Sequence, residues 1–589
     1  MSTPPPDQPA PGEPAPGTPD GAAPPNSAIA LVVCDLHRGW LGHPAHLSDR
    51  LGSRTVLEHA VARAASVPQV RRVVLVHPPG QSPLDRLDPL SFEKPVDAWT
   101  HDDAGIAPVD LVNARKWALT AWRGGLGQAT IYDELMPARP LAEALRRFDA
   151  GSALIVRADW CFFDAEFAGR ILDRHLQSPS AMKITFSQAP PGLGAVATSR
   201  AVLEDLAEHQ AGFGAALRYN PAKPAIDPIG RDVNLPVDPA VRSHARRFIY
   251  DTPRAIERLR AIAQHLGSRA GTANAAEVVA ASLAYEQGDP DTPAAERYPF
   301  HRVPQQLWLE LTPERHVHGP IVPQHHLLPD RPAFDPALGD RLWPDLGAVG
   351  DAAVLVGGHG EPTLHPDLEP ILHQARAAGV MGLGIETDLL GLAERADWLL
   401  GLPVDLISVR LNADTAATYE REMGSDRFAE AARTLATLLE RRAGHGRPWI
   451  VPRLVKTPET LADMESFFER WTRAAGHAVI EPFCTVGGRI EDRSPVPMAP
   501  PLVEGPEPTP KHRLTVLSDG SVSLCRDDFL GLALVGDLAH QTLAEAWAQT
   551  PARLDTMHPP DLCWRCQRWR AFHRNTPRPR PVGSGTSLR

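Results

Sequence analysis

The sequence predicts an α/β protein: two successive strand-and-helix units with a small metal-binding segment behind them. Three observations carry that expectation. Apolar runs alternate with amphipathic stretches across residues 27–268, six further strand candidates alternate with helices across 304–490, and an Asp-Gly hairpin precedes a Cys-x2-Cys pair near the C-terminus. Repeated strand-helix units imply largely parallel strands joined by right-handed crossovers.

With 589 residues the chain has room for several domains at about 150 residues each. Its formal charge of −11 offers no broad basic surface, which argues against a nucleic-acid partner. Residues 1–26 are Pro-rich, lack the basic start and hydrophobic stretch of a secretory signal, and read as a disordered tail. No uncharged apolar run reaches the about 18 residues needed to cross a bilayer, so no membrane partner is expected and the protein reads as cytoplasmic. Six cysteines are too few for a disulfide framework in so long a chain, and the pair Cys563 and Cys566 points to metal instead.

In the first unit, residues 29–34 and 71–77 read as strands around a helix whose Val56, Leu57, Ala60, Val61 and Ala64 share one face. Residues 153–159 form a strand ending in an acid, and Asp164 can cap a helix from Ala165 to Gln177. Residues 247–250 read as a further strand, with Thr252 as N-cap, Pro253 at the first helical position and a stop at Gly267. The Leu57-Glu58-His59 helix and the closing Asp251-Thr252-Pro253 segment resemble the nucleotide-sugar cytidylyltransferases, so the resemblance implies a nucleotide-diphospho-sugar transferase-like α/β domain. Such enzymes hold triphosphate on a Gly-rich loop with Arg and Lys. Here the loop is Asp35-Leu-His-Arg38-Gly39-Trp-Leu-Gly42, with no lysine before Lys94, and the cradle is eroded. Asp159 and Asp251 match the family's acidic positions and would hold Mg2+; the alternative makes Asp159 a turn residue and Asp251 part of a helix cap. The Gly/Pro loop at 188–194 has no assigned mechanism, and residues 269–303 read as a linker with one helix near 276–286.

In the second unit, strands are expected at 307–311, 353–357, 382–386, 406–411, 450–455 and 479–484. Six of them fit a partial (β/α)6 barrel, which places the ligand site at the C-terminal strand ends, lined by Gly360, Glu361, Glu386, Thr387, Asp388 and Arg410. Gly357-Gly358-His-Gly360-Glu361-Pro362 resembles the Gly-Gly-Glu-Pro segment of radical SAM proteins, which meets the amino group of S-adenosylmethionine; alone it could equally be a turn before a helix. Thr387-Asp388 resembles their Thr-Asn-Gly strand end with an acid for the amide. Their Cys-x3-Cys-x2-Cys cluster loop falls here on Arg315, Gly319 and Val322, none of which supplies a soft thiolate to iron. The resemblance therefore implies a radical SAM-like barrel with a degenerate pocket at Gly360, Glu361, Pro362, Arg315 and Arg410, to which S-adenosylmethionine is not expected to bind. The two arginines suggest a filled pocket or one adapted to an anion, unless both lie at the surface.

Residues 502–574 contain a hairpin turning at Asp519-Gly520, a capping box at Thr542 and Glu545, and the Cys563-Trp-Arg-Cys566 pair. This succession resembles the SPASM domain, which implies an iron-sulfur cluster of the 4Fe-4S kind on Cys525, Cys563 and Cys566. The cysteine expected before the hairpin is absent; Glu507, His512, His573 or Cys484 could complete the shell, or one iron could stay open. Zinc on the three cysteines with His512 or His573 is the competing reading, and three free thiols the third. Residues 575–589 read as a disordered basic tail.

The three parts in this order resemble the spiro-SPASM protein family, in which the barrel's cluster cysteines are also lacking. The resemblance implies a metal-bearing scaffold in a redox-accessory or ligand-binding role toward a small-molecule or protein substrate, without cleavage of S-adenosylmethionine. Two alternatives stand beside it. One is a Mg-dependent nucleotidyltransferase acting on a sugar-like or alcohol acceptor through the first unit; the other is a zinc protein that binds an anionic ligand at a cationic barrel mouth.

Overall fold

The computed structural model describes residues 28–39, 41–88, 91–102, 112–113, 116–117, 138–179, 183–187, 189–209, 234–242, 244, 246–287, 303–327, 329–442, 448–495 and 513–550. Cys563, Cys566, Glu507, His512, His573 and both tails lie outside these residues.

The first unit contains β1 (Ala28–Val33), the two-residue strands β2 (Arg50–Leu51) and β3 (Arg54–Thr55), β4 (Val70–His77), β5 (Val96–Thr100), β6 (Ser152–Arg157), β7 (Ile184–Ser187), β8 (Val196–Ser199) and β9 (Asn234–Leu235). All but β2 and β3 form one sheet in the order β5-β4-β1-β6-β8-β7-β9. Its first four strands run parallel, and β8 is antiparallel to both neighbours. Every residue of β1 is buried, as an unbroken apolar run requires when helices cover both faces. The caps read from the sequence are in place. Asp164 accepts the Phe167 N–H at 2.9 Å ahead of helix Ala165–Gln177, and Thr252 caps Pro253–Leu266.

Two expectations change here. Residues 247–250 form no strand: Phe248 N–H donates to the Pro191 carbonyl at 2.7 Å and Tyr250 N–H to that of Asp159 at 3.0 Å. The Gly/Pro loop thereby gains a reason. Gly192 sits at φ +91°, and any Cβ there would overlap the Phe248 carbonyl. Second, the stretch taken as a linker is core in its first half, because helix Ala275–Gln287 buries Val278 and Val279 against the first sheet's hydrophobic cluster.

The second unit holds β10 (Gln306–Leu309), β11 (Ala353–Val356), β12 (Gly382–Thr387), β13 (Leu406–Arg410), β14 (Trp449–Lys456) and β15 (Val479–Pro482), all parallel and in sequential order. The six expected strands are present. Alternate residues face outward onto helices, as Leu307, Val354, Ile385 and Ile407 do beside Ile371, Leu435 and Phe467. The other set, including Trp308, Leu355, Leu406, Trp449 and Val451, faces inward. The Asp519-Gly520 hairpin is β16 (Arg513–Val516) with β17 (Ser521–Ser523), followed by β18 (Leu534–Asp537). It does not stand apart. β16 pairs in parallel with β10, so the sheet grows to nine strands.

The two units meet end to end. The C-terminal strand ends of the first sheet, with Thr252, Pro253 and Arg254, lie against the N-terminal strand ends of the second. Arg254 Nε holds Asp351 at 2.8 and 3.0 Å, and its Nη1 donates to the Val303 carbonyl at 2.8 Å. Lys116 Nζ reaches Asp405, just before β13, at 3.0 Å. Trp117, fully buried, enters the inward-facing cluster and lies 3.1 Å from where a Cβ on Gly384 would stand. The bottom of the partial barrel is thus stoppered by two side chains of the first unit.

Candidate functional site

The C-terminal strand ends of the second sheet gather ionisable side chains, as parallel α/β sheets do at that edge. Glu361 follows β11, Asp388 follows β12, and Arg410 ends β13. Arg410 donates to the Gly360 carbonyl at 2.9 Å and lies 3.2 Å from both Glu361 and Asp388. Arg315 grips Asp388 with two parallel bonds of 2.8 and 2.7 Å, the fork geometry that suits guanidinium to carboxylate. Burial works to raise the Asp388 carboxyl, but Arg315 and Arg410 outweigh it and hold it below the usual carboxylate range. Glu361 is fully spoken for: it accepts the Asp388 N–H at 2.7 Å and the Thr363 hydroxyl at 2.7 Å. Pro362 opens a short 3-10 turn behind it.

Deeper in, Arg453 bridges Glu386 and Glu481 and donates to the Ser408 hydroxyl at 3.2 Å. Arg526, one residue beyond Cys525, stacks on the Trp308 ring at 4.5 Å and lies 3.9 Å from Glu481 and 3.5 Å from Asp527. His359 packs edge-on to Phe529, and burial lowers its pKa to about 4, so it is neutral near pH 7. These groups surround a cavity of about 80 Å³. Pockets for drug-sized ligands measure roughly 300–1,000 Å³. The mouth carries Arg315, Arg410, Arg453 and Arg526 against Glu361, Glu386, Asp388, Glu481 and Asp527, four positive charges against five negative. It is therefore not the cationic mouth that the arginines alone suggest. The sequence shows those arginines, but not which acids each would meet.

The three positions of the missing cluster loop are all closed. Arg315 is tied to Asp388, and Val322 is fully buried in the hydrophobic core. Gly319 donates its N–H to the Met423 carbonyl at 2.8 Å, and any Cβ on it would fall inside the Glu422 carbonyl oxygen. A cysteine could not replace it without moving the end of helix Ala416–Met423.

In the first unit, Asp159 is held by Arg157 at 3.0 and 3.1 Å and Asp251 by Arg247 at 2.6 and 2.7 Å, all four buried. Each acid has its own guanidinium in the place a cation would take. The amides of the eroded phosphate loop are already engaged: that of Leu36 goes to Gln81 Oε1, those of His37 and Arg38 to Asp35 Oδ1, and those of Gly39 and Gly42 to the His43 and Gly39 carbonyls. Among the described residues no three His, Cys, Asp or Glu side chains gather as a metal site. Of the expected metal cysteines only Cys525 is described. It follows β17, is half-buried, and its sulfur accepts the Asp527 N–H at 3.4 Å.

The SPASM family, described as an iron-sulfur cluster-binding domain, matches residues 508–567. An uncharacterized protein of Treponema pallidum (strain Nichols) is 22% identical over 210 residues, 33% of this chain, which spans only 57% of that relative's length. SuiB of Streptococcus suis bound to its precursor peptide SuiA aligns over 66% of this chain and 93% of its own, at 12% identity and a TM-score of 0.35. A cytidylyltransferase of Leptospira borgpetersenii serovar Hardjo-bovis (strain JB197) aligns over 43% and 92%, at 12% identity and a TM-score of 0.31. Native anSMEcpe with bound AdoMet aligns over 46% of this chain and 92% of its own, at 13% identity and a TM-score of 0.33. A mixed α/β sheet unit, a six-stranded parallel unit and a SPASM-matched segment follow one another, the spiro-SPASM-like order of parts that the resemblance implies.

Proposed function

We propose that the chain is an iron-sulfur protein of radical SAM/SPASM type whose barrel does not cleave S-adenosylmethionine, and which serves as a redox-accessory or ligand-binding partner in the cell interior. The closed Gly319 position supports the barrel half of this reading most directly: the loop has lost both its thiolates and the space for them. A cavity of about 80 Å³ adds to it, being far smaller than the volume a nucleoside-bearing cofactor fills. The metal half is supported by the SPASM match and by Cys525, with Cys563 and Cys566 as its expected fellow ligands. A bound 4Fe-4S cluster would supply one-electron transfer. Its neighbours in the chain would hold it beside the barrel, because Cys525 lies two residues beyond β17, a strand of the barrel's own sheet.

Anaerobic purification with iron, sulfide and zinc analysis and EPR tests the reading against Cys525→Ala and Cys563→Ala. Iron and sulfide are expected in the parent and lost in both variants, with no 5'-deoxyadenosine formed under reducing conditions. Zinc without sulfide, or turnover of S-adenosylmethionine, overturns the corresponding half.

A further inference from the structure

The loop that follows β10 carries two adjacent histidines, His325 and His326, both exposed, at the end of the short helix Pro323–His326. Each ring is anchored by one nitrogen only. His325 Nδ1 meets the His318 carbonyl at 2.6 Å, and His326 Nε2 meets the Pro320 carbonyl at 2.8 Å. A carbonyl oxygen can only accept, so those two nitrogens carry the hydrogens, and in the neutral rings His325 Nε2 and His326 Nδ1 are left as lone pairs. Neither lone pair meets a hydrogen-bond donor among the described residues.

Histidines that hold metals are arranged in this way. A ligating imidazole commonly gives its other N–H to a backbone carbonyl, which fixes the tautomer and aims the ring. The spacing agrees: the ring centres lie 4.8 Å apart, with the planes at 80°. Two imidazoles on one ion, each bound at about 2.0–2.1 Å, put their ring centres roughly 4.5–5.2 Å apart for bond angles from square to tetrahedral. The backbone beneath is also held. Gly319 N–H is tied to the Met423 carbonyl at 2.8 Å, His325 N–H to the Val322 carbonyl at 2.9 Å, and Gln324 Nε2 to the Pro313 and His359 carbonyls at 2.8 Å each. A pair of rings set on so fixed a loop loses little freedom when it takes an ion.

We propose that His325 and His326 bind one divalent transition-metal ion of the zinc, nickel and copper class, for which neutral imidazole is a suited ligand. His325 Nε2 and His326 Nδ1 are the two protein donors. Since no three His, Cys, Asp or Glu side chains gather as a metal site among the described residues, water fills the remaining positions. The ion is separate from a cluster on Cys525, and it stands on the same loop whose cysteine positions are closed at Arg315, Gly319 and Val322.

Isothermal titration of the intact protein with Ni2+ tests this, beside His325→Ala, His326→Ala and His318→Ala. One saturable nickel site is expected in the parent, undiminished by excess Mg2+, which takes oxygen ligands. Loss of either ring should weaken nickel by at least the about tenfold that removing a mere supporting partner costs. His318→Ala keeps the carbonyl under His325 and should leave the affinity unchanged. All three side chains are exposed, so the variants should keep the fold. Iron and sulfide should be equal in parent and variants, which separates this outcome from that of the cluster. Absence of a saturable nickel site, affinity unchanged in either His325→Ala or His326→Ala, or an equal loss in His318→Ala each overturns the proposal.

Discussion

The two sheets end in the same chemistry and put it to different use. At the C-terminal edge of the first, Asp159, which follows β6, and Asp251, in the segment packed beside it, are matched one to one by Arg157 and Arg247, and the second unit presses on that face through the buried Arg254–Asp351 pair. At the strand ends of the second, arginines are shared between acids, the charges do not cancel, and a cavity remains. An acid at the end of a parallel strand is thus no indication of a site by itself. What separates the two is whether its partners leave an atom unpaired and a volume beside it.

The widest break in this comparison would come from Asp251→Ala. It breaks a buried ion pair by taking from Arg247, 2% exposed, the carboxylate that accepts its two parallel bonds, and unfolding in urea should show a loss of about 3–5 kcal/mol. A loss under about 1 kcal/mol would mean that the first face is open after all and would return Asp251 to consideration as a metal ligand. Next in size is Gly319→Ala in the barrel, where one methyl meets the Glu422 carbonyl; about 1–3 kcal/mol should be lost, with the helix Ala416–Met423 displaced. A neutral result would show that the loop can open and would weaken the case against a cluster there.

The smallest effect concerns Glu422 itself, which Arg493 holds at 2.9 Å beside Glu459. Burial, partly opposed by Arg493, pushes its carboxyl up from 4.5 to about 7. Between those values the folded state keeps a proton that the unfolded chain has released, so stability falls as pH rises through the window and levels off above it. The melting temperature of Glu422→Gln should lack this slope between about pH 5 and 7. An unchanged slope would assign it elsewhere.

Much of this was legible because it is local. The caps at Asp164, Thr252 and Thr542 are side chains answering amides three residues away, and each stands where the sequence puts it. All six barrel strands begin within about two residues of the expected positions, since apolar runs between helices admit few other readings. What escaped is long-range. Nothing in the sequence around Lys116 and Trp117 has a period, yet those two side chains stopper a barrel nearly two hundred residues and more downstream. Arg453 and Glu481 were hidden in stretches read as ordinary strands. The alternation Trp449, Val451, Arg453 was the available signal, for it places a charge on the inward face. The acids that disarm Arg315 and Arg410 could not be paired from sequence, because Asp388 lies 73 residues from Arg315.

The parallel ladder between β10 and β16 has a consequence for how this protein can be taken apart. A chain cut before Arg513 would bare the row of amides and carbonyls on β10, an apolar edge of just the kind that recruits other chains into aggregates. The SPASM-matched segment is therefore not a detachable accessory: the strand it contributes is what closes this edge of the barrel's sheet.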